Sequence, residues 1–330
     1  MNLPNAIDRL RNVLRRQHKA LSTEDSYVYW LRHYVIALNT MPSSLHSEQK
    51  VENFLTHLAR NRNLSASSQN QAFNAILYFY NEVLRQPLQN IDALRVRRPA
   101  RLRHAPTVAE TQALLQTVRD RAGYHTNLVV RLLYGCGLRV CEPLNLRIKD
   151  VKLQELTLFI LGAKGGKDRV VAIPPSVVPE LRQQIKRAQT IWLEDNQNRI
   201  PVDLPFQLAR KYPEYQYSWP WAWLFPSHNT CFHPRTHVEN RYRMHESNVQ
   251  KAVKEARQKL GISVLPHELR HGYATHSMNN GVSPRAIQLA MGHNSLETTM
   301  GYLHAESLSV QSPLESILGG KTLPFPVPPW

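Results

Sequence analysis

Cysteine is scarce in this chain: Cys136, Cys141 and Cys231 are its three, and none forms a Cys-x-x-Cys pair. That spacing excludes a disulfide framework, and a reduced compartment is the simplest setting. Long apolar runs are missing as well. No stretch reaches the roughly 18 apolar residues that a membrane helix needs. The opening MNLPNAIDRLRNVLRRQHKA has no apolar signal core, so a cytoplasmic protein is expected. Acidic residues are also few. Asp plus Glu number 25 against 41 Lys plus Arg, a net charge of +16. A polyanionic partner follows, and DNA fits best. A basic ribosome-associated factor would show the same balance, so charge alone does not decide.

What is present suggests two domains. The 330 residues are 42% hydrophobic, enough for real cores. Residues 1–96 read as a helical DNA-binding bundle. Ile7, Leu10 and Leu14 follow helical spacing, as do Val51, Phe54, Leu55 and Leu58. A run from Thr23 to Leu38 is rich in Tyr, Trp and Leu. Asn70 to Leu84 carries Phe73, Ile76, Leu77 and Tyr80 as a stripe. Residues 97–106 form a basic linker, where Arg97, Arg98, Arg101 and Arg103 stand with two prolines and suit contact with phosphates. Residues 107–330 read as mainly helical with one β-hairpin. Its strands are Leu156–Leu161 and Val170–Ile173, joined by GAKGGKD. Helices are expected at about 176–194 and 247–260. The fold class is thus mainly α with a small antiparallel sheet.

Three motifs carry chemistry. GCGLRVCEPLNLR (135–147) presents Arg139 with Glu142 three residues on, a spacing that puts both on one helix face. HELRH (267–271) presents His267 and Arg270 at the same spacing. GHNSLETTMGYLH (292–304) presents His293 and Tyr302, with Gly292 allowing close backbone approach. Two arginines, two histidines and a phenol are what metal-free phosphodiester cleavage needs. Arginines neutralise the phosphorane, histidines supply hydrogen bonds or protons, and the hydroxyl attacks phosphorus. Singly, each has a plainer reading as a surface ion pair, a satisfied core histidine or a packed ring.

The ordered set resembles the tyrosine recombinases (integrases), over nearly the whole chain. That resemblance implies a two-domain clamp around DNA and cleavage through a 3′-phosphotyrosyl link, with neither metal nor cofactor. It gives Arg139 and Arg270 to the scissile phosphate, with Glu142 orienting Arg139. His267 and His293 become hydrogen-bonding partners and Tyr302 the nucleophile, with Tyr273 the nearest alternative. Lys164 in the hairpin loop becomes the general acid. Lys167 competes, but the family pattern G-K-G-x-K-x-R puts the catalytic lysine first, although Ala163 here separates Gly162 from Lys164.

One segment narrows the resemblance. ARKYPEYQYSWPWAWLFPS (209–227) and MHESNVQKAVKEA (244–256) are similar to the extra segment of integron integrases, which recombine cassette sites folded from one DNA strand. An insertion at about 192–227 is implied. Aligned on Phe225-Pro226-Ser227, Trp221 matches a base-stacking tryptophan and Pro234 a proline that packs a second flipped base. Arg243 stands where the family often has histidine. Stacking on aromatic faces is how unpaired bases are held, although most of these rings are expected to plug a core. His228, Cys231, His233, His237 and His245 raise a zinc reading, but their spacing matches no standard site. The resemblance further implies a homo-tetramer on folded single-stranded and duplex sites, joined by exchange of the tail at 308–330. A phage-type or chromosome-dimer-resolving recombinase on duplex sites is the alternative. From other classes come a type IB topoisomerase and a non-catalytic DNA-binding protein.

Overall fold

A computed structural model describes residues 3–60, 64–89, 91, 105–121, 123–162, 168–233 and 236–292. The chain divides into two compact units, Met1–Arg101 and Leu102–Trp330. It is mainly α-helical with small antiparallel sheets, in agreement with the sequence reading.

The first unit packs α1 (Leu3–Arg16), α2 (Leu21–Leu38), α3 (Ser47–Arg60) and α4 (Ala66–Tyr78). The anticipated stripes of α1 and α3 face inward: Ile7, Leu10 and Leu14 share one core with Val51, Phe54, Leu55 and Leu58. Truncating such a side chain costs about 2–5 kcal/mol. The fourth stripe differs from expectation. Phe73 and Leu77 are only half-buried, while Ala72, Ala75 and Ile76 take the core face. The helix then widens into a π-helical turn, Phe79–Leu84, which resets the phase and buries Phe79, Tyr80 and Val83. The Tyr80 hydroxyl meets that of Tyr34 at 3.0 Å in the core. Glu24 is a buried charge, and Arg15 (2.7 Å) and Arg11 (3.4 Å) compensate it.

The second unit begins at a capping box. The Thr107 hydroxyl accepts from the Glu110 amide, and the Glu110 carboxylate accepts from the Thr107 amide. α5 (Val108–Thr117), α6 (Thr126–Gly135), α10 (Glu246–Leu260) and α11 (Pro266–Asn279) surround one core. A four-residue helix, α7 (Cys141–Leu144), follows α6, and α12 (Pro284–Met291) follows α11. The sheet is β1 (Val151–Lys152), β2 (Thr157–Ile160) and β3 (Arg169–Ala172), with Leu158 opposite Val171. Both of those side chains enter the core while their neighbours face outward, the period-2 pattern of a one-sided sheet. β1 was not anticipated, because two residues carry no periodic signal.

α8 (Val178–Gln197) leads into the aromatic segment, so the expected insertion start at 192 falls inside this helix. The segment holds α9 (Phe206–Lys211) and two short 3-10 turns, and ends near a second small sheet of β4 (Cys231–Phe232) and β5 (Glu239–Asn240). Asp195 on α8 clamps Arg241 through two hydrogen bonds of 2.8 and 2.5 Å. Arg241 also donates to the Ser227 and His228 carbonyls, closing the segment onto α8. Among the described residues no helix is long and apolar enough to cross a membrane.

Candidate active site

Glu142 lies at the centre of the site. Its carboxylate is buried and receives three guanidinium groups. Arg139 donates from its backbone amide and from Nη1, both at 2.8 Å. Arg169 forks across both oxygens at 3.0 and 2.6 Å, the bidentate geometry that suits a planar guanidinium. Arg270 Nη1 stands 3.8 Å from Oε2. One negative charge thus faces three positive ones, and the surplus makes a fixed field for an anion.

The pairing of Arg139 with Glu142 corrects the sequence reading in one respect. Arg139 precedes the short α7 instead of sharing a helix face with Glu142. Glu142 reaches back from the first turn to the Arg139 amide. Gly137 allows this turn: its φ is +61°, and a Cβ there would strike the Tyr273 ring.

Among the described residues, Arg270 is the largest fully buried side chain. It sits on α11 and donates to the Gly137 carbonyl and the Met291 carbonyl, each at 2.6 Å. It therefore ties α11 to the loop before α7 and to the end of α12. His267, one turn earlier on α11, is exposed, with its ring 4.6 Å from that of buried His271. Gly292 ends α12 with φ +64°, and a Cβ there would press on Arg169 at 3.1 Å. The glycine before His293 thus serves both the left-handed cap and the approach to Arg169.

Arg169 was not among the residues singled out in the sequence. Its signal was the final arginine of the hairpin motif, two residues past Lys167. Its Nε also donates to the Ala290 carbonyl at 2.7 Å, so it joins β3, α7 and α12. Lys164, His293, Tyr302, Pro234, the linker residues Arg97, Arg98, Arg101 and Arg103, and the tail 308–330 lie outside the described residues.

Burial alone would push the Glu142 carboxyl up. The hydrogen bonds and charge of Arg169, with the two donors of Arg139, outweigh that and hold it below the usual carboxylate range. A depressed native pKa stabilises the fold fully above the unfolded carboxyl's value, about 4.3, and that stabilisation is lost as pH falls through the lower native value. Glu142→Gln should therefore cost about 3–5 kcal/mol near neutral pH, since it leaves buried guanidinium groups without their anion. Thermal melts of both proteins from pH 7 to pH 3 test this. The gap should narrow below about pH 4, and a gap constant with pH would mean that packing, not charge, sets it.

The aromatic segment forms a second cluster. Trp223 is buried, its indole N–H donates to the Arg241 carbonyl, and the Arg147 guanidinium lies 3.7 Å from its ring centroid. Trp219 packs against Trp192. Of the five rings from Tyr215 to Trp223 expected mostly to plug a core, only Trp223 is buried; Tyr217 and Trp219 are half-buried and Tyr215 is exposed. Trp221 is half-buried as well, 4.5 Å from Lys149 Nζ. Arg147 is buried and donates to the Trp221 and Asp203 carbonyls at 2.6 Å each. Burial pushes its guanidinium pKa down to about 10, against the pull of Asp203 and Asp150. Arg243 is half-buried and donates to the Met244 carbonyl at 3.2 Å.

The residues behind the zinc reading are dispersed into other contacts. His228 packs on Tyr124, His233 stacks on Tyr242, and His245 caps α10 through Ser247. Among the described residues no three His, Cys, Asp or Glu side chains group as a metal site.

Comparison with known proteins follows this geometry. The model of the phage integrase family matches residues 107–308, and that of the phage integrase N-terminal SAM-like domain matches residues 7–90. The chain belongs to the phage integrase family. It is a tyrosine recombinase, an enzyme that cleaves and rejoins DNA. An Escherichia coli integrase/recombinase is 36% identical over 317 residues, covering 94% of this chain and 93% of that protein. The tyrosine recombinase XerA of Thermococcus kodakarensis is 30% identical over 314 residues, covering 92% of each. In fold, this family member is similar to the Tn1549 transposon integrase in complex with transposon right end DNA. The TM-score is 0.59 at 14% identity, covering 96% of this chain and 98% of that one. A lambda integrase dimer bound to a core site gives 0.59 at 14% identity, covering 94% and 80%.

Proposed function

We propose that this tyrosine recombinase integrates and excises gene cassettes, and that it recognises sites folded from a single DNA strand. Arg139 and Arg270 bind the scissile phosphate, with Glu142 and Arg169 holding them in place. Tyr302 attacks phosphorus, His267 and His293 hydrogen-bond the phosphate or the nucleophile, and Lys164 protonates the leaving 5′-oxygen. The phosphotyrosyl link conserves the bond energy for rejoining. The helical unit, 1–96, and the linker, 97–106, grip DNA beside the site, and 107–330 carries the chemistry. Four protomers assemble on two sites through the tail at 308–330. The convergence of three arginines on one buried carboxylate supports the phosphate assignment.

The observation that carries the cassette reading is the setting of Trp221. Its ring is half-buried, its carbonyl is pinned by Arg147, and Lys149, paired with Asp150 at 2.7 Å, lies 4.5 Å from the ring centroid. Pro234 and Arg243 would serve a second flipped base. The likeness to XerA proteins favours a second reading, in which the enzyme works on paired duplex sites.

Trp221→Ala separates the two. It should weaken binding to hairpins with unpaired bases by about 1–3 kcal/mol per lost stack, and leave binding to a fully paired duplex of the same sequence unchanged. Two titrations and a thermal melt read the result. An unchanged melt with a hairpin-only defect supports base capture. A lowered melt with equal loss on both DNAs leaves the duplex reading as the better one.

A further inference from the structure

Two ring pairs of the aromatic segment lie near-parallel, as His233–Tyr242 does at 20°, whereas most other ring pairs cross steeply. In the helical unit Tyr27–Tyr78 and Tyr34–Tyr80 cross at 62° and 66°, and Tyr134–His276 crosses at 69°. In the aromatic segment Tyr212–Tyr215 lies at 17° with centroids 4.9 Å apart, and Tyr215–Trp221 at 21° with centroids 5.8 Å apart. Trp221, Tyr215 and Tyr212 thus form one column of near-parallel rings. Both tyrosines are solvent-exposed, at 40% and 41%. A lysine stands at each end, Lys149 at 4.5 Å from the Trp221 ring and Lys211 at 5.2 Å from the Tyr212 ring.

We propose that Tyr212 is a second base-stacking subsite of this column, apart from the flipped base assigned to Pro234 and Arg243, taking another unpaired nucleobase of the same DNA strand whose first unpaired base stacks on Trp221. This rests on the base-capture reading of Trp221. Ring separations of 4.9 and 5.8 Å leave no room for a base between the rings, so the column receives bases at its ends. Trp221, Tyr215 and Tyr212 then lie together between the two bases. Every base has a π-face, so the column selects for unpaired bases more than for sequence. Lys211 neutralises a phosphate at the Tyr212 end, while Lys149 at the other end is paired with Asp150 at 2.7 Å. The nearby carboxylate of Glu214 faces Arg199 at 3.8 Å.

The column is held in place before DNA arrives, which lowers the ordering cost of binding. Pro213 restricts the chain between the two tyrosines. The Tyr215 amide donates to the Tyr212 carbonyl at 3.1 Å. The Val202 amide donates to the Gln216 carbonyl at 3.0 Å, and the Trp192 indole N–H donates to the Tyr217 carbonyl at 2.8 Å.

The test uses the full chain and two DNA hairpins, one with a single unpaired base and one with three adjacent unpaired nucleotides. Tyr212→Ala should weaken binding of the three-nucleotide hairpin at least about fivefold and leave the single-base hairpin unchanged. Tyr212→Phe, which keeps the ring, should bind both as the parent does. Equal affinity of Tyr212→Ala and the parent for the three-nucleotide hairpin overturns the proposal. So does an equal loss on both hairpins with a lowered melt, which marks a packing residue. Trp221→Ala runs in parallel. If it weakens both hairpins while Tyr212→Ala weakens neither, the second subsite alone fails. If it weakens neither, base capture fails and the second subsite falls with it.

Discussion

Tyr302→Phe should bind recombination-site DNA as the parent does and form no covalent adduct with it. The substitution removes one oxygen, and that oxygen is the atom proposed to attack phosphorus. A free phenol, with a pKa near 10, is a weak nucleophile at neutral pH, so the surrounding positive charge has to favour the phenolate. On the proposed mechanism that charge would come from the three guanidinium groups around Glu142. A nicked suicide substrate, which traps the phosphotyrosyl product, reads the outcome as a protein–DNA band on a denaturing gel. A persisting band would move the nucleophile elsewhere, first to Tyr273. The structure argues against that residue. Burial raises the Tyr273 hydroxyl pKa, with Cys136 adding to the rise and Arg270 opposing it. Its ring is also packed on Gly137.

Arg139→Ala and Arg270→Ala should each slow cleavage by roughly 10²–10³, with much smaller losses in DNA binding. The charge on the phosphorane exceeds that on the ground-state diester, so a fixed guanidinium stabilises the transition state more than the bound substrate. Single-turnover cleavage and equilibrium titration measure the two separately. Equal losses in both would make these residues ordinary phosphate anchors. The two variants should differ in stability. Arg139 is 27% exposed and Arg270 2%. Arg139→Ala should melt close to the parent. Arg270→Ala leaves the Gly137 and Met291 carbonyls without their donor and should melt lower. Arg139 is therefore the cleaner test of the chemistry.

Much of the site was legible as order and spacing. Arg139, Glu142, His267 and Arg270 stood out because the chemistry needs their residue types together. Arg169 did not, because an arginine that begins a short strand looks like any solvated edge residue. Its role depends on Glu142, 27 residues away. Trp221 and Trp223 also looked alike in sequence, two residues apart in one aromatic run. Only the fold buries Trp223 beneath Arg147 and leaves Trp221 half open.

The sequence by itself determined the stripes of α1 and α3, the β-hairpin, the basic charge and the ordered set of arginine, histidine and tyrosine. All of these rest on local spacing or on summed composition, which need no knowledge of distant contacts. The tertiary structure alone decided that Glu142 gathers three arginines, and that Arg270 joins Gly137 to Met291 across 133 and 21 residues. It alone aligned Tyr212, Tyr215 and Trp221 in one column. Such pairings depend on directional hydrogen bonds and ring orientations between segments far apart in the chain. Periodicity carries no record of those angles, because many folds satisfy the same pattern of buried and exposed residues.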